Sequence, residues 1–167
     1  MAEVPKIIKD FRVWINGNDT GFNVEEMVLP KITEKLETIQ MGIMETEVFM
    51  GVEKMETELT LLGHDPKLNA TIGVGNLTGN LIILKAAQDD NLNNVDKITI
   101  IMRGRFTERD FGSLKRGEKG SIKFKASLKS YAYLINDIPY DAVDPETNTY
   151  IIGGVNQLEK INKALGV

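Results

Sequence analysis

The sequence predicts a mainly β protein, an antiparallel β-sandwich or barrel carrying a short helix and a C-terminal helix. Three observations predict it. Several segments alternate apolar and polar residues with the period of two that a half-buried strand requires. Turns bearing Gly, Asn and Pro separate those segments. Helix signals occur at only two places, and both are short. With 167 residues, 42% hydrophobic and 26% charged, the chain suits a single domain, residues 1–167, with a sizeable core.

The elements follow in order. Phe11, Val13 and Ile15 alternate with Arg12, Trp14 and Asn16, and Asn16-Gly17 then supplies a turn in which positive φ is cheap. A second strand is expected over 22–29, where Pro30 removes a ladder donor and marks an edge or a bend. Residues 32–39 read as extended and two-faced, with Thr33, Lys35 and Glu37 on one side. Met55, Thr57, Leu59 and Leu61 alternate with Glu56, Glu58 and Thr60. Asp65-Pro66 has the form of an N-cap followed by a first-turn proline, so a short helix is expected from Pro66 to about residue 72, ended by Gly73. Two further strands are expected at 81–87 and 97–103, joined by a polar connection at 88–96. Residues 112–120 form a Gly- and Lys-rich turn. Beyond it Ile122, Phe124, Ala126 and Leu128 alternate with Lys123, Lys125, Ser127 and Lys129. Leu158, Ile161 and Leu165 fall at helical spacing near the C-terminus.

Charge is distributed unevenly. Between Glu25 and Glu58 nine Glu stand against three Lys, a local balance of −6. Between Lys97 and Lys129 ten Lys or Arg stand against Glu108, Asp110 and Glu118, a balance of +7. Opposite charges facing each other on paired strands are favourable. The two segments are therefore expected side by side, within a subunit or between copies.

Catalytic and metal chemistry find little support. The chain has no Cys and one His, so thiolate nucleophiles, disulfides and multi-His metal cages are excluded. His64 has no nucleophile motif near it and reads as a turn residue. The glycines at 73, 75 and 79 miss the spacing of a dinucleotide loop by one residue and follow a helix rather than a strand. Asp137, Asp141, Asp144 and Glu146 lack the alternating oxygens and central Gly of a calcium loop. Lys115, Arg116, Lys119, Lys123, Lys125 and Lys129 could meet phosphates, but Tyr131 and Tyr133 do not interleave with them as a stacking platform would. No enzyme activity, cofactor or specific nucleic-acid site is expected. The N-terminus lacks the pattern of a signal peptide, and no apolar run approaches the roughly 18 residues of a membrane span. Synthesis in the cytoplasm without a membrane partner is the expectation.

Met41, Met44, Met50 and Met55 fall close together, the first three in a segment, 41–50, without clean helical or strand periodicity. Flexible thioethers adapt to irregular surfaces, and an exposed apolar loop is a liability unless another subunit covers it.

Two stretches, Leu29-Pro30-Lys31-Ile32-Thr33-Glu34-Lys35-Leu36-Glu37 and Ile101-Met102-Arg103-Gly104-Arg105, read as strand ends and turns. In this order they resemble the major tail tube protein of contractile-tailed bacteriophages, a family that also supplies the tubes of phage-tail-like contractile bacteriocins. The similarity runs from Phe11-Arg12-Val13-Trp14-Ile15-Asn16-Gly17 to Leu158-Glu159-Lys160-Ile161-Asn162. The resemblance implies a structural protein of the virion tail, assembled in the host cytoplasm. Copies would form hexameric rings stacked into a hollow tube with a continuous inner β-barrel, partnered by sheath, baseplate and tail terminator, with DNA passing non-specifically through the lumen. On that model Thr33, Lys35, Glu37, Glu56, Glu58, Lys123, Lys125 and Lys129 face the lumen. The loop with Met41, Met44 and Met50 contacts another subunit, and Arg103 and Arg105 turn a barrel strand at a subunit boundary. A DNA-free bacteriocin or injection-device tube is the alternative. A monomeric β-barrel that binds an apolar ligand is the reading from a different class.

Overall fold

Two long strands organise the chain. In the computed structural model, which describes residues 4–21, 23–66, 70 and 79–167, strands β8 (Val95–Asp110) and β9 (Ser121–Ile135) pair antiparallel along most of their length. Around them lie β1 (Ile7–Ile15), β2 (Asn18–Asp19), β3 (Val24–Val28), β6 (Met55–Leu62), β7 (Asn80–Asp89), β10 (Ile138–Asp144), β11 (Thr149–Ile152) and β12 (Val155–Asn156). Strands β4 (Glu34–Met41) and β5 (Met44–Val52) form a separate two-stranded sheet. Helix α1 (Glu159–Leu165) follows β12. The fold is thus the mainly antiparallel β structure that the alternation predicts. The expected helix at 66–72, the Gly-rich stretch at 73–79 and the start of the second strand at Phe22 fall mainly on residues outside the described set.

The main sheet runs β12-β11-β10-β9-β8-β7-β1-β2, with β6 branching from β9 and β3 pairing β6. The branch is possible because the ribbon of β8 and β9 changes neighbours along its length. Residues up to Gly104 of β8 pair with β7, and residues 121–128 of β9 pair with β6 on the other side. The ribbon therefore serves two layers, β1-β7-β8-β9-β10-β11 and β3-β6-β9-β8. Between them lies one core, with Val13, Ile15, Leu59, Leu61, Ile82, Ile100, Met102, Phe106, Ile122 and Phe124 almost wholly buried. Phe106 and Phe124 meet edge to face at 6.0 Å. Each such side chain contributes about 1.5–3 kcal/mol relative to exposure.

Two sequence expectations are corrected here. Arg103-Gly104-Arg105 does not end or turn a strand; it lies inside β8, at a register shift against β9 between Arg103 and Gly104. A Cβ on Gly104 would lie 2.4 Å from the Ser127 carbonyl oxygen and 2.9 Å from Leu128 Cα, so the glycine signals close backbone approach rather than a turn. The Met-rich segment is likewise not an irregular loop. It is a hairpin with Met41 opposite Met44 and Gly42 at φ +60° in the turn. Alternation is absent from it because nearly every residue is exposed, and no core demands one apolar face.

Two expected outcomes follow from this packing. Gly104→Ala must push backbone from backbone, so we expect a loss on the order of 1–3 kcal/mol, read as a lower Tm; an unchanged Tm would mean the close approach is not obligatory. Burial, then the charges of Asp141 and Tyr133, push the Tyr131 hydroxyl up to about 12. An unfolded tyrosine ionises near pH 10, so the native state holds this proton more tightly. The contribution is intact below about pH 10 and is lost as pH rises through about 12. Tm measured across that window should fall more steeply for the wild type than for Tyr131→Phe.

Candidate functional site

The outward face of the layer β3-β6-β9-β8 is a ladder of charges. Directly paired residues share a face in an antiparallel sheet, which sets Glu58, Lys125 and Glu108 in one row. Thr60, Lys123 and Asp110 form the next row, and Glu56, Ser127 and Arg105 the third. Lys125 Nζ lies 3.2 Å from Glu56 Oε2, and Lys54 Nζ lies 3.0 Å from Glu56 Oε1. Hydrogen bonds from Lys54 and then Lys125 hold the Glu56 carboxyl below the usual carboxylate range. The acidic and basic segments of the sequence thus meet inside one subunit, across β6 and β9. Lys119 and Glu25, 3.6 Å apart, add a second link.

The sequence-predicted lumen residues do not all share this face. Glu56, Glu58, Lys123 and Lys125 do, and Arg105 joins them. Glu108 and Asp110 were missed because Thr107 sits in a second register shift between Phe106 and Glu108, which moves the later residues out of phase with Arg103 and Arg105. Lys129 falls at the shift opposite Arg103 and Gly104 and instead borders a groove. Thr33, Lys35 and Glu37 belong to the arm formed by β4 and β5: the Thr33 carbonyl accepts a hydrogen bond from the Glu53 amide at 2.8 Å, and Lys35 and Glu37 are exposed on β4.

The arm carries Met41, Met44 and Met50, all exposed, and Ile43 at its tip is fully solvent-accessible. Among the described residues it stands on one aromatic contact. Phe49 stacks on Tyr150 with ring centroids 5.6 Å apart and planes within 10°, and the Tyr150 hydroxyl donates to Glu34 Oε1 at 3.1 Å. Burial first, then that bond and the carboxylate charges of Glu34 and Asp141, raise the Tyr150 hydroxyl above its ordinary value. Beside the arm's base opens a groove of about 1010 Å³ whose lining includes Phe49, Tyr150, Val143, Ile161, Arg103 and Lys129. Helix α1 borders it and buries no residue. Its tie to β11's turn is a pair of hydrogen bonds, from Asn148 Nδ2 to Asn162 Oδ1 at 2.7 Å and from Asn162 Nδ2 to the Asn148 carbonyl at 3.0 Å. His64 stacks on Phe111, a packing role. Among the described residues no group of three or more His, Cys, Asp or Glu could hold a metal ion. The geometry offers surfaces for protein contact: a charged sheet face, an exposed arm and an open groove.

Residues 5–166 match the family model described as phage tail tube protein FII. The tail tube protein of Escherichia phage P2 is 23% identical over 172 residues, spanning 98% of this chain and 99% of that protein. Among solved structures, the sheath/tube terminator of an extracellular contractile injection system superposes with a TM-score of 0.61 at 9% identity, covering 81% of this chain and 99% of that one. A chain of the sheath–tube complex of such a system gives 0.60 at 10% identity, covering 80% and 92%. The two solved structures bear on the fold, while the family model spans almost the entire sequence: the chain belongs to the phage tail tube protein FII family.

Proposed function

We propose that copies of this chain close into six-membered rings that stack into the hollow inner tube of a contractile tail. The role is structural and not enzymatic. The observation that carries it is the pair of edges left open, among the described residues, on the layer β3-β6-β9-β8. On one side β3 pairs only with β6 among the described strands. On the other, β8 continues from Arg105 to Asp110 beyond its last partner in β7, Asn80 opposite Gly104. Unpaired edges of this kind must be covered or joined. Each neighbouring pair within the layer is antiparallel, so β3 and β8 run in opposite directions. In a cyclic array every copy has the same orientation; β3 of one copy then meets β8 of the next antiparallel, and repetition closes a barrel with no edge left.

The charge ladder supports placing this layer around a lumen. Glu56, Glu58, Lys123 and Lys125 face it, with Glu108, Asp110 and Arg105 alongside. Polyanions grip basic surfaces by releasing counterions. Here Lys125 already lies against Glu56, with Glu58 and Glu108 in its row, which weakens that grip and suits passage of DNA. The arm, with Met41, Met44 and Met50, contacts another copy; Thr33, Lys35 and Glu37 at its root then border the lumen, and Arg103 and Lys129 line the groove at a subunit boundary. A sheath outside, a baseplate and a terminator complete the particle, put together in the host cytoplasm. A DNA-free injection device is the second reading, favoured by the likeness in fold to an extracellular contractile injection system.

Negative-stain electron microscopy with light scattering on the concentrated chain tests the proposal. Six-fold rings or hollow tubes are expected, with an unfolding transition that moves with concentration. Thr107 lies in the β8 register shift with no register partner in β9, touching it only through a side-chain hydrogen bond to the Lys125 carbonyl at 3.4 Å, so Thr107→Pro should spare the β8–β9 ladder, keep the monomer folded by circular dichroism and abolish rings. A wild-type chain that stays monomeric, even when seeded with fragments of its native particle, would overturn the reading.

A further inference from the structure

The edge of β8 changes hands at Gly104. Up to that residue it is taken by β7, whose first residue, Asn80, stands opposite Gly104. From Arg105 to Asp110 the same edge is open among the described residues. Strand β3 has five residues and matches that open stretch in length. Laid antiparallel against the β8 of a neighbouring copy, β3 runs from the Asp110 side towards the Arg105 side. The chain that follows Val28 therefore arrives where β7 begins, at Asn80 of the neighbour.

That chain is Leu29-Pro30-Lys31, which belongs to neither β3 nor β4. It is anchored at both ends in its own subunit. The Thr57 hydroxyl donates to the Val28 carbonyl at 2.6 Å, and the Glu53 amide donates to the Thr33 carbonyl at 2.8 Å. Between the anchors Leu29 is 43% exposed, with Val28 beside it at 49%. Pro30 has no amide hydrogen and cannot continue a ladder. This suits a chain that must leave β8 where β7 takes over.

Asn80 holds a group that lacks a partner. Its side chain is buried, yet among the described residues its Nδ2 donates to nothing. A neighbouring bond fixes which end of the amide is left over. The Leu81 amide donates to Asn16 Oδ1 at 3.0 Å, so Asn16 turns its Nδ2 to Asn80 Oδ1 at 2.7 Å. Asn80 Nδ2 remains without an acceptor, an unfavourable state for a buried donor until one reaches it. Asn80 stands in the wall of the groove together with Gly79, Gly104 and Leu128, and the two glycines leave room for another backbone to come close.

We propose that Leu29-Pro30-Lys31 of one copy seats in this corner of the groove of the next copy in the same ring. The Leu29 side chain packs towards Leu128, and a backbone carbonyl of the segment accepts a hydrogen bond from Asn80 Nδ2. This rests on the ring reading and goes beyond it: edge pairing sets the faces, and the Asn80 contact marks where β3 must stop along β8.

A cross-link tests it. The chain has no cysteine, so one introduced pair reports unambiguously. Within a copy β3 stands three strand spacings from β8, about 14 Å at roughly 4.8 Å each, too far for a disulfide. Rings of chains carrying both Leu29→Cys and Asn80→Cys should therefore oxidise to a ladder of covalently joined copies. Rings that form without that link, or that link instead when Leu114→Cys replaces Asn80→Cys, would overturn the proposal. As a second measurement, Leu29→Lys changes an exposed residue and should leave the monomer's Tm unchanged. It should lower ring yield about tenfold, because it brings an ammonium group beside Arg103 and Arg105 of the neighbour. Rings at the wild-type yield would again overturn the seating. Absence of rings in the wild type itself would instead refute the tube reading.

Discussion

The pairing of β8 with β9 is the constraint on which the other contacts depend. These two strands stay joined while β9 exchanges β10 for β6 and β8 runs on past its last partner in β7, so the layer that faces outward and the layer that faces the core's other side are made from one ribbon. The change of layer needs a place where the ribbon can bend. The register shift at Gly104 supplies it, and the absence of a Cβ there lets β8 approach the Ser127 carbonyl. Shifts of this kind increase local bending and twist. Downstream of the bend, β8 exposes Arg105, Glu108 and Asp110 beside β9's lysines while Phe106 turns into the core. The position of the charge ladder is thus a consequence of backbone geometry several residues away.

Much of this was legible because burial imposes alternation. Ile122, Phe124, Ala126 and Leu128 are all buried and Lys123 and Lys125 point away from them, as a period of two requires. The acidic and basic segments also met as their charges suggested, across β6 and β9. What escaped the sequence lies where that rule is interrupted or has no cause. Thr107 and Lys129 sit at register shifts, and a shift of one residue inverts the face of everything beyond it. Glu108 and Asp110 were therefore missed, and Lys129 was placed with the wrong neighbours. The arm has no buried side, so its apolar residues fall on both faces and mimic a loop. The Phe49–Tyr150 stack joins residues far apart in the chain, and no local pattern announces it.

The surfaces divide the work of a structural protein between different interactions. The core supplies the free energy of the subunit through apolar burial, which is non-directional. In the proposed ring the open edges supply direction, since backbone hydrogen bonds fix both orientation and register. The charges supply little net stability, being exposed and screened, but they decide what the outward face will tolerate. A wall whose lysines already stand among carboxylates is wet and polar without offering an uninterrupted cationic track. That combination needs no catalytic group, and its chemistry lies in arrangement.

The slender footing of the arm has a mechanical consequence. Among the described residues, two short connections, the Phe49–Tyr150 stack and the Tyr150–Glu34 hydrogen bond join β4 and β5 to a body whose core they do not enter. Such an element can pivot about its root while its internal ladder stays intact, since tilting disturbs little beyond that stack and hydrogen bond. Strain applied to the protein would then concentrate at that joint and spare the tightly filled sandwich. Stiffness and compliance reside in separate parts of the same chain, so a column built from it could bend at its seams while each segment kept its bore.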